Sequence, residues 1–395
     1  MTNILLSSNA PWASSGYGQQ TSLLAPRIAK LGYNLALNCF YGLEGGCLEW
    51  NGIHCYPTDN TRFGSLLLPD YAAHHGGGDP QSVLCMTLMD VWVLLPGMKG
   101  FIENGLRFAS WVPIDHDPCP PMVERFLSET GSAPIAMSKF GERMLQDKGY
   151  RTLYAPHGVD TNIFRPQHSD RDAIRDVLKI PADAFVVGMV ANNQGLPSRK
   201  AFPQVFDAFK QFHAKHSDAV LYVHADVIGR NNGINLIELA KACEIDSDVI
   251  RTSDQLAYHL GIPQREVANV YAAFDVLCMP SFGEGFGIPL IEAQACGVPV
   301  ITTDWTAMSE LCGAGWLVQG EKWYDATQGA FQKVPYVGEI VDALEAAYKH
   351  GEGLREQARA FALDYDVDAV FDKYWVPVLD EITRPREIPA LRLAA

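Results

Sequence analysis

The stretch Pro280-Ser281-Phe282-Gly283-Glu284-Gly285-Phe286-Gly287-Ile288-Pro289-Leu290-Ile291-Glu292-Ala293 constrains the architecture more than any other part of the chain. The apolar run Asp275-Val276-Leu277-Cys278-Met279 ahead of it predicts a buried strand. Pro289 suits the first turn of a helix, where its missing N–H has no intrahelical partner to lose, and Gly297 and Pro299 end that helix. A helix start preceded by Gly285 and Gly287 offers backbone N–H groups and the positive end of a dipole, the means of holding a phosphate. Glu284 and Glu292 suit a different task, accepting hydrogen bonds from hydroxyls such as those of a ribose or a hexose. A phosphate flanked by two hydroxyl-reading acids describes a sugar nucleotide.

The rest of the chain repeats the same unit. Ile4 to Ser8 predicts a strand, followed by a glycine loop containing Gly16 and Gly18 and a helix from Gln19 to Leu31. Gly16-x-Gly18 lacks the third glycine and the acidic residue of a dinucleotide fingerprint. The stretch from Gly42 to Asp79 is irregular, and His74-His75 in it is a polar loop without the partners of a metal site. Strands over Val83 to Met89 and Arg107 to Pro113 end at Asp90 and at Asp115-His116-Asp117, the carboxyl ends where α/β domains place their chemistry. Further strands are predicted over Phe185 to Val190, Ala219 to Asp226, Val249 to Thr252 and Val298 to Thr303, with a helix from Gln264 to Phe274. Arg199-Lys200 closes the loop after the first of these, where the two cations can neutralise a diphosphate. Near the end Val367, Val370, Phe371, Tyr374 and Val378 form one helical stripe that Pro377 should kink or interrupt.

At 395 residues two domains are expected. The 48% hydrophobic content contains no apolar run near twenty residues, and the start Met1-Thr2-Asn3-Ile4-Leu5-Leu6 has no basic leader, so a cytoplasmic protein without a transmembrane segment is expected. Nine cysteines without a C-x-x-C pair read as reduced thiols, with Cys47 and Cys55 the pair able to approach. The net charge of −15 disfavours nucleic acid as a partner without excluding it. Residues 1–165 hold 11 Lys+Arg against 14 Asp+Glu, leaving 20 against 32 for the rest, so most of the excess lies in the second half.

The glutamates of Pro-Ser-x-x-Glu-Gly-Phe-Gly and the following Ala-Cys-Gly-Val-Pro-Val-Ile resemble the glutamate-x7-glutamate signature of retaining GT-B glycosyltransferases of family 4, the glycosyl transferases group 1 type. Ala155-Pro156-His157-Gly158-Val159-Asp160 resembles that family's hinge. The resemblance implies an α/β fold of GT-B type, two Rossmann-like doubly wound domains facing a central cleft: an acceptor-side domain over 1–165, a nucleotide-sugar donor domain over 170–365, and a helix at about 366–384 crossing back, in which Trp375 is either an anchor or ordinary core packing. It implies catalytic roles for Glu284, Lys200, Arg199 and His116, and donor contacts from Gly16, Gly18, Asn193, Ser253, Gln255, Gly285, Phe286, Gly287 and Glu292. Ser309-Glu310 is similar to the family's polar step near the donor. Beyond the nucleoside diphosphate sugar as co-substrate no cofactor is expected, and no divalent metal is required. The acceptor is open among a protein, a lipid headgroup, a DNA base and a small molecule. Two alternatives share the cleft: a sugar-nucleotide epimerase of GT-B type and a non-catalytic sugar-nucleotide-binding subunit.

Overall fold

The computed structural model describes residues 2–61, 63–167 and 170–384. His168 and Ser169, between the two expected domains, lie outside these residues, as does the tail from Pro385 to Ala395. The first half builds an eight-stranded sheet from β1 (Asn3–Asn9), β2 (Asn34–Tyr41), β3 (Leu48–Trp50), β4 (Ile53–Tyr56), β5 (Val83–Leu88), β6 (Arg107–Val112), β7 (Ala133–Ala136) and β8 (Leu153–Tyr154) in the order β3-β4-β2-β1-β5-β6-β7-β8. Every neighbouring pair is parallel except β3 with β4. The second half builds an all-parallel sheet from β9 (Phe185–Val190), β10 (Ala219–His224), β11 (Ile250–Thr252), β12 (Val276–Cys278), β13 (Val300–Thr303) and β14 (Gly315–Val318), in the order β11-β10-β9-β12-β13-β14. Helices cover both sheets, so the inner strands are apolar on both faces; all six residues of β5 are buried.

The structure corrects several sequence expectations. The stretch Gly42 to Asp79 is ordered into the β3–β4 hairpin and a helix, Leu68–His75. His74 lies on that helix and its Nδ1 meets the Tyr56 hydroxyl at 2.7 Å. The helix after β1 begins at Gly16 instead of Gln19, because the Ser15 hydroxyl caps it by accepting from the Gly18 N–H at 3.0 Å. The helix expected to reach Phe274 ends at Ala272. Cys55 faces Cys39, buried on adjacent strands, while Cys47 is exposed and apart, so the pairing with Cys47 does not form; all nine thiols are free.

Two devices tie the second half together and to the first. Asp275, just before β12, accepts from Arg171 at 2.5 Å, from Arg175 at 2.8 Å and from the Val186 N–H at 2.7 Å, with Arg355 3.3 Å away. Three guanidinium groups gathered on one carboxylate pin the start of β12 to helix Arg171–Val177 and to Arg355. The chain end then crosses back. Helix Val367–Val370 passes through a π-helical turn, Phe371–Trp375, into helix Val376–Thr383. The turn stands just before Pro377, so the missing N–H is absorbed by a local widening and the rod continues. Trp375 stands edge-on to Trp111 of β6 at 4.6 Å, and Tyr374 to Tyr154 of β8 at 5.2 Å.

No helix among the described residues is long and apolar enough to cross a membrane. Trp375 is 2% exposed, so Trp375→Ala removes a ring that links the C-terminal helix to β6 of the first half. The expected loss is ~3–5 kcal/mol in unfolding free energy, read from urea denaturation; a midpoint equal to wild type would show that the ring carries no such load.

Candidate active site

The loop from Met279 to Gly287 links the buried strand β12 to helix Ile288–Ala295. Gly287 caps the helix at φ 109°, a left-handed conformation that a side chain would strain. Gly283 and Gly285 are required for another reason. A Cβ on Gly283 would lie 2.2 Å from the Asp115 carbonyl oxygen, and one on Gly285 would lie 2.3 Å from Pro113 Cβ. The two halves therefore touch backbone to backbone here. Gly285, Phe286 and Gly287, whose N–H groups the sequence offers to a phosphate, are buried, Gly285 directly beneath Pro113 of the first half. Gly16, at the start of its own helix, lies over Ile288, so the N-termini of two helices from different halves meet. Gly18 sits two residues on, against the carbonyls of Ala10 and Ala13.

This contact assembles a charge cluster. Lys200 Nζ pairs with Glu284 Oε1, and Arg199 stands 3.9 Å from both Glu284 Oε2 and Asp115 Oδ2 while donating to the Gly283 carbonyl at 3.0 Å. The Glu284 N–H donates to Thr306 Oγ1 at 3.0 Å. Burial works against the Glu284 charge, but Lys200 and Arg199 outweigh it and hold the carboxyl below its ordinary range. Burial lowers Lys200 below the ordinary lysine range, with Glu284 opposing. His116 Nδ1 meets Asp115 Oδ1 at 2.6 Å, and its Nε2 stands 3.4 Å from Asp325 Oδ2. Burial opposes charge on the ring, yet the two carboxylates raise its pKa. Asp90 is pushed up to about 6 by burial and by the neighbouring Asp115 charge. Tyr17 lies among these groups, its phenol held protonated first by burial and then by the charges of Asp90 and Asp115. Asp117 stands aside, at the edge of the cluster, 3.8 Å from Lys322. Among the described residues no group of three or more His, Cys, Asp or Glu side chains is arranged to hold a metal ion.

The remaining residues divide. Glu292 is buried and accepts from Gln19 Nε2 and from the Tyr271 hydroxyl, each at 2.8 Å; burial raises its pKa against those two donors. Ser253 Oγ lies 2.6 Å from His224 Nδ1. The Asn193 and Gln255 side chains are committed to backbone: Asn193 bonds the carbonyls of Asp226 and Ile234 and the Ile234 N–H, and Gln255 bonds Val227, Ala225 and Ser253. The Phe286 ring packs edge-on to His157 at 5.0 Å, in the contact between the halves, and burial pushes His157 down to about 3. Glu310 spans the same boundary by accepting from the N–H groups of Lys139 and Phe140 at 2.7 and 3.0 Å.

The sequence reading missed Tyr17, Gln19, Tyr271 and Asp325. Asp325 lies on an antiparallel hairpin, β15 (Gly320–Asp325) and β16 (Ala330–Pro335). The signal for it was present in the alternation Lys322-Trp323-Tyr324 ahead of the turn former Asp325-x-Thr327.

The Glu284 pair sets an acid limit. A folded pKa below the ordinary 4.5 means that its stabilisation is complete above about pH 4.5 and is lost as pH falls through the folded value. Glu284→Gln should therefore flatten the acid side of a plot of urea midpoint against pH. Parallel wild-type and variant curves between about pH 5 and pH 3 would contradict the assignment.

Residues 170–358 match the family model described as glycosyl transferases group 1. The D-inositol 3-phosphate glycosyltransferase of Arthrobacter sp. (strain FB24) is 29% identical over 236 residues, 57% of this chain and 52% of the relative. The protein of the same name from Rhodococcus erythropolis is 30% identical over 234 residues, 53% of this chain and 48% of the relative. The chain thus spans about half the length of the curated relatives it matches. Among solved structures, sucrose-phosphate synthase from Thermosynechococcus elongatus superposes with a TM-score of 0.72 at 17% identity, over 96% of this chain and 100% of that one. Anabaena HepE in complex with UDP and glucose gives 0.71 at 18%, over 96% and 100%. Residues 170–358, the second half of the molecule, thus resemble the glycosyl transferases group 1 family, and the two sheets together take the GT-B fold.

Proposed function

We propose that the protein is a retaining glycosyltransferase that moves a sugar from a nucleoside diphosphate to an acceptor hydroxyl without a divalent metal. The observation that carries this reading is the convergence of Arg199 and Lys200 on Glu284 at the start of helix Ile288–Ala295, opposite the N-terminus of the Gly16–Lys30 helix. Two fixed cations and two helix starts supply the positive potential that a diphosphate needs. The relatives named as glycosyltransferases and the likeness to a structure holding UDP and glucose support the same substrate class.

In the proposed reaction the acceptor oxygen attacks the anomeric carbon on the face the diphosphate leaves. The C–O bond to phosphate breaks, and the departing phosphate oxygen takes the acceptor's proton. Arg199 and Lys200, beside the start of helix Ile288–Ala295, stabilise the charge that grows on that phosphate. Glu284 holds sugar hydroxyls and His116 donates to the transferred sugar. Glu292 retains lone pairs beyond those that Gln19 and Tyr271 use, and these accept from ribose hydroxyls.

A panel of nucleoside diphosphate sugars, read by release of free nucleoside diphosphate with and without candidate acceptors, tests the reading. Donor conversion without release and without acceptor would replace transfer by epimerisation. Lys200→Ala should lower turnover by on the order of a hundredfold or more, the loss of one charge-stabilising donor in the transition state. An unchanged rate in a folded Lys200→Ala protein would remove Lys200 from the mechanism.

A further inference from the structure

Hairpin β15–β16 belongs to the second half yet reaches the first. Phe331 exchanges both backbone hydrogen bonds with Asp117, at 2.8 and 3.0 Å. Two residues on, along the same free edge of β16, the Lys333 N–H donates to the Phe282 carbonyl at 2.9 Å, and Trp323 stands edge-on to Phe282 at 6.5 Å. The hairpin thus joins the glycine loop of one half to the Asp115–Asp117 loop of the other. At the end of β15, Asp325 Oδ1 accepts from the Thr327 N–H at 2.8 Å and from its hydroxyl at 2.6 Å, which fixes the carboxylate. The other oxygen, Oδ2, is left 3.4 Å from His116 Nε2, an atom that is buried and has no full hydrogen bond among the described residues.

We infer that Asp325 is a positioning residue, carried across the cleft by the hairpin to fix the orientation and charge of His116 when the two halves are seated together. The inference rests on the sugar-transfer reading only for what His116 does next. Its geometry is independent of it: a 4%-exposed imidazole has a carboxylate at each nitrogen, Asp115 from its own half and Asp325 from the other. An imidazole can donate to both only as the imidazolium. The charged groups around the ring are Asp115 and Asp325 in contact, the half-buried Asp90 nearby, and Arg199 beyond Asp115 opposing them. Because the ring's pKa stands above its ordinary 6.5, the ion pair is complete below that value and is lost as pH rises through the folded one. The hairpin therefore holds the first half more tightly on the acid side, the reverse of the Glu284 pair.

The test uses the full chain with isotope-labelled histidine, followed by NMR as a function of pH. The His116 signal is identified by its loss in His116→Gln. Asp325→Asn should lower the His116 titration midpoint by about one pH unit, and Asp325→Glu should restore most of it. In the transfer assay Asp325→Asn should lower kcat and move its alkaline limb to lower pH, with the donor KM little changed. A His116 midpoint identical in Asp325→Asn and wild type would overturn the inference. If Asp325→Asn does not fold, Thr327→Val, which frees the carboxylate but keeps its charge, serves instead: a smaller downward shift supports the inference and an unmoved midpoint overturns it. The titration needs no turnover, so an error in the proposed reaction leaves its outcome readable.

Discussion

The direct backbone contact of Gly283 and Gly285 with Pro113 to Asp115 sets the geometry of everything else in the cleft. A side chain at either glycine would hold the halves apart by its own thickness. With none there, Arg199 of the second half reaches within 3.9 Å of Asp115 of the first, and Gln19 of the first bonds Glu292 of the second at 2.8 Å. The same contact buries Glu284 beside Lys200. Dry packing, not the presence of charged residues as such, lets these groups act strongly on one another.

Burial also explains why the charges balance locally in a chain of net −15. An unpaired ion in a dry site costs several kcal/mol, so each is met by an opposite one or gives up its charge. Asp115 faces His116 and Arg199, Glu284 faces Lys200 and Arg199, and Asp275 faces three arginines on the far side of the sheet. Asp90, with no ion pair of that kind among the described residues, is pushed up to about 6 by burial and the Asp115 charge. The donor proposed above would bring negative charge to Arg199 and Lys200, whose present counter-charges are Glu284 and Asp115.

The parts legible in the sequence are those enforced by backbone. The glycine loop, Pro289 at a helix start and the apolar runs of β5, β9 and β12 carry their reasons locally, and from them the doubly wound architecture follows. Elements stabilised by distant packing were not legible. β3 and β4 are short and polar enough to read as loop, and they exist because β4 pairs with β2. The helix start at Gly16 depended on one hydroxyl, Ser15. In the site, Glu284 and the basic pair could be read because each lies in a recognisable loop. Tyr17, Gln19 and Tyr271 could not, since their importance comes only from what faces them; Gln19 and Glu292 are 273 positions apart. Asn193 and Gln255 show the converse, polar side chains in the right loops that are spent on shaping those loops.

The hairpin marks where these two kinds of information part. Both neighbouring elements, β14 and helix Val337–His350, are ordinary members of the doubly wound half, and the parallel sheet is complete without β15 and β16. Its inner face follows the alternation of a strand, placing Trp323 and Asp325 toward the cleft while Lys322 and Tyr324 face out. A one-residue slip in its register would turn Asp325 to solvent and Tyr324 onto the glycine loop. The register is held near the turn by the Phe331 bridge to Asp117 and the Thr327 hydrogen bonds, and farther along β16 by the Lys333 N–H on the Phe282 carbonyl, so the ladder that docks the hairpin also selects which side chain meets His116. Docking of the halves and completion of the imidazole's surroundings are in this way one structural event.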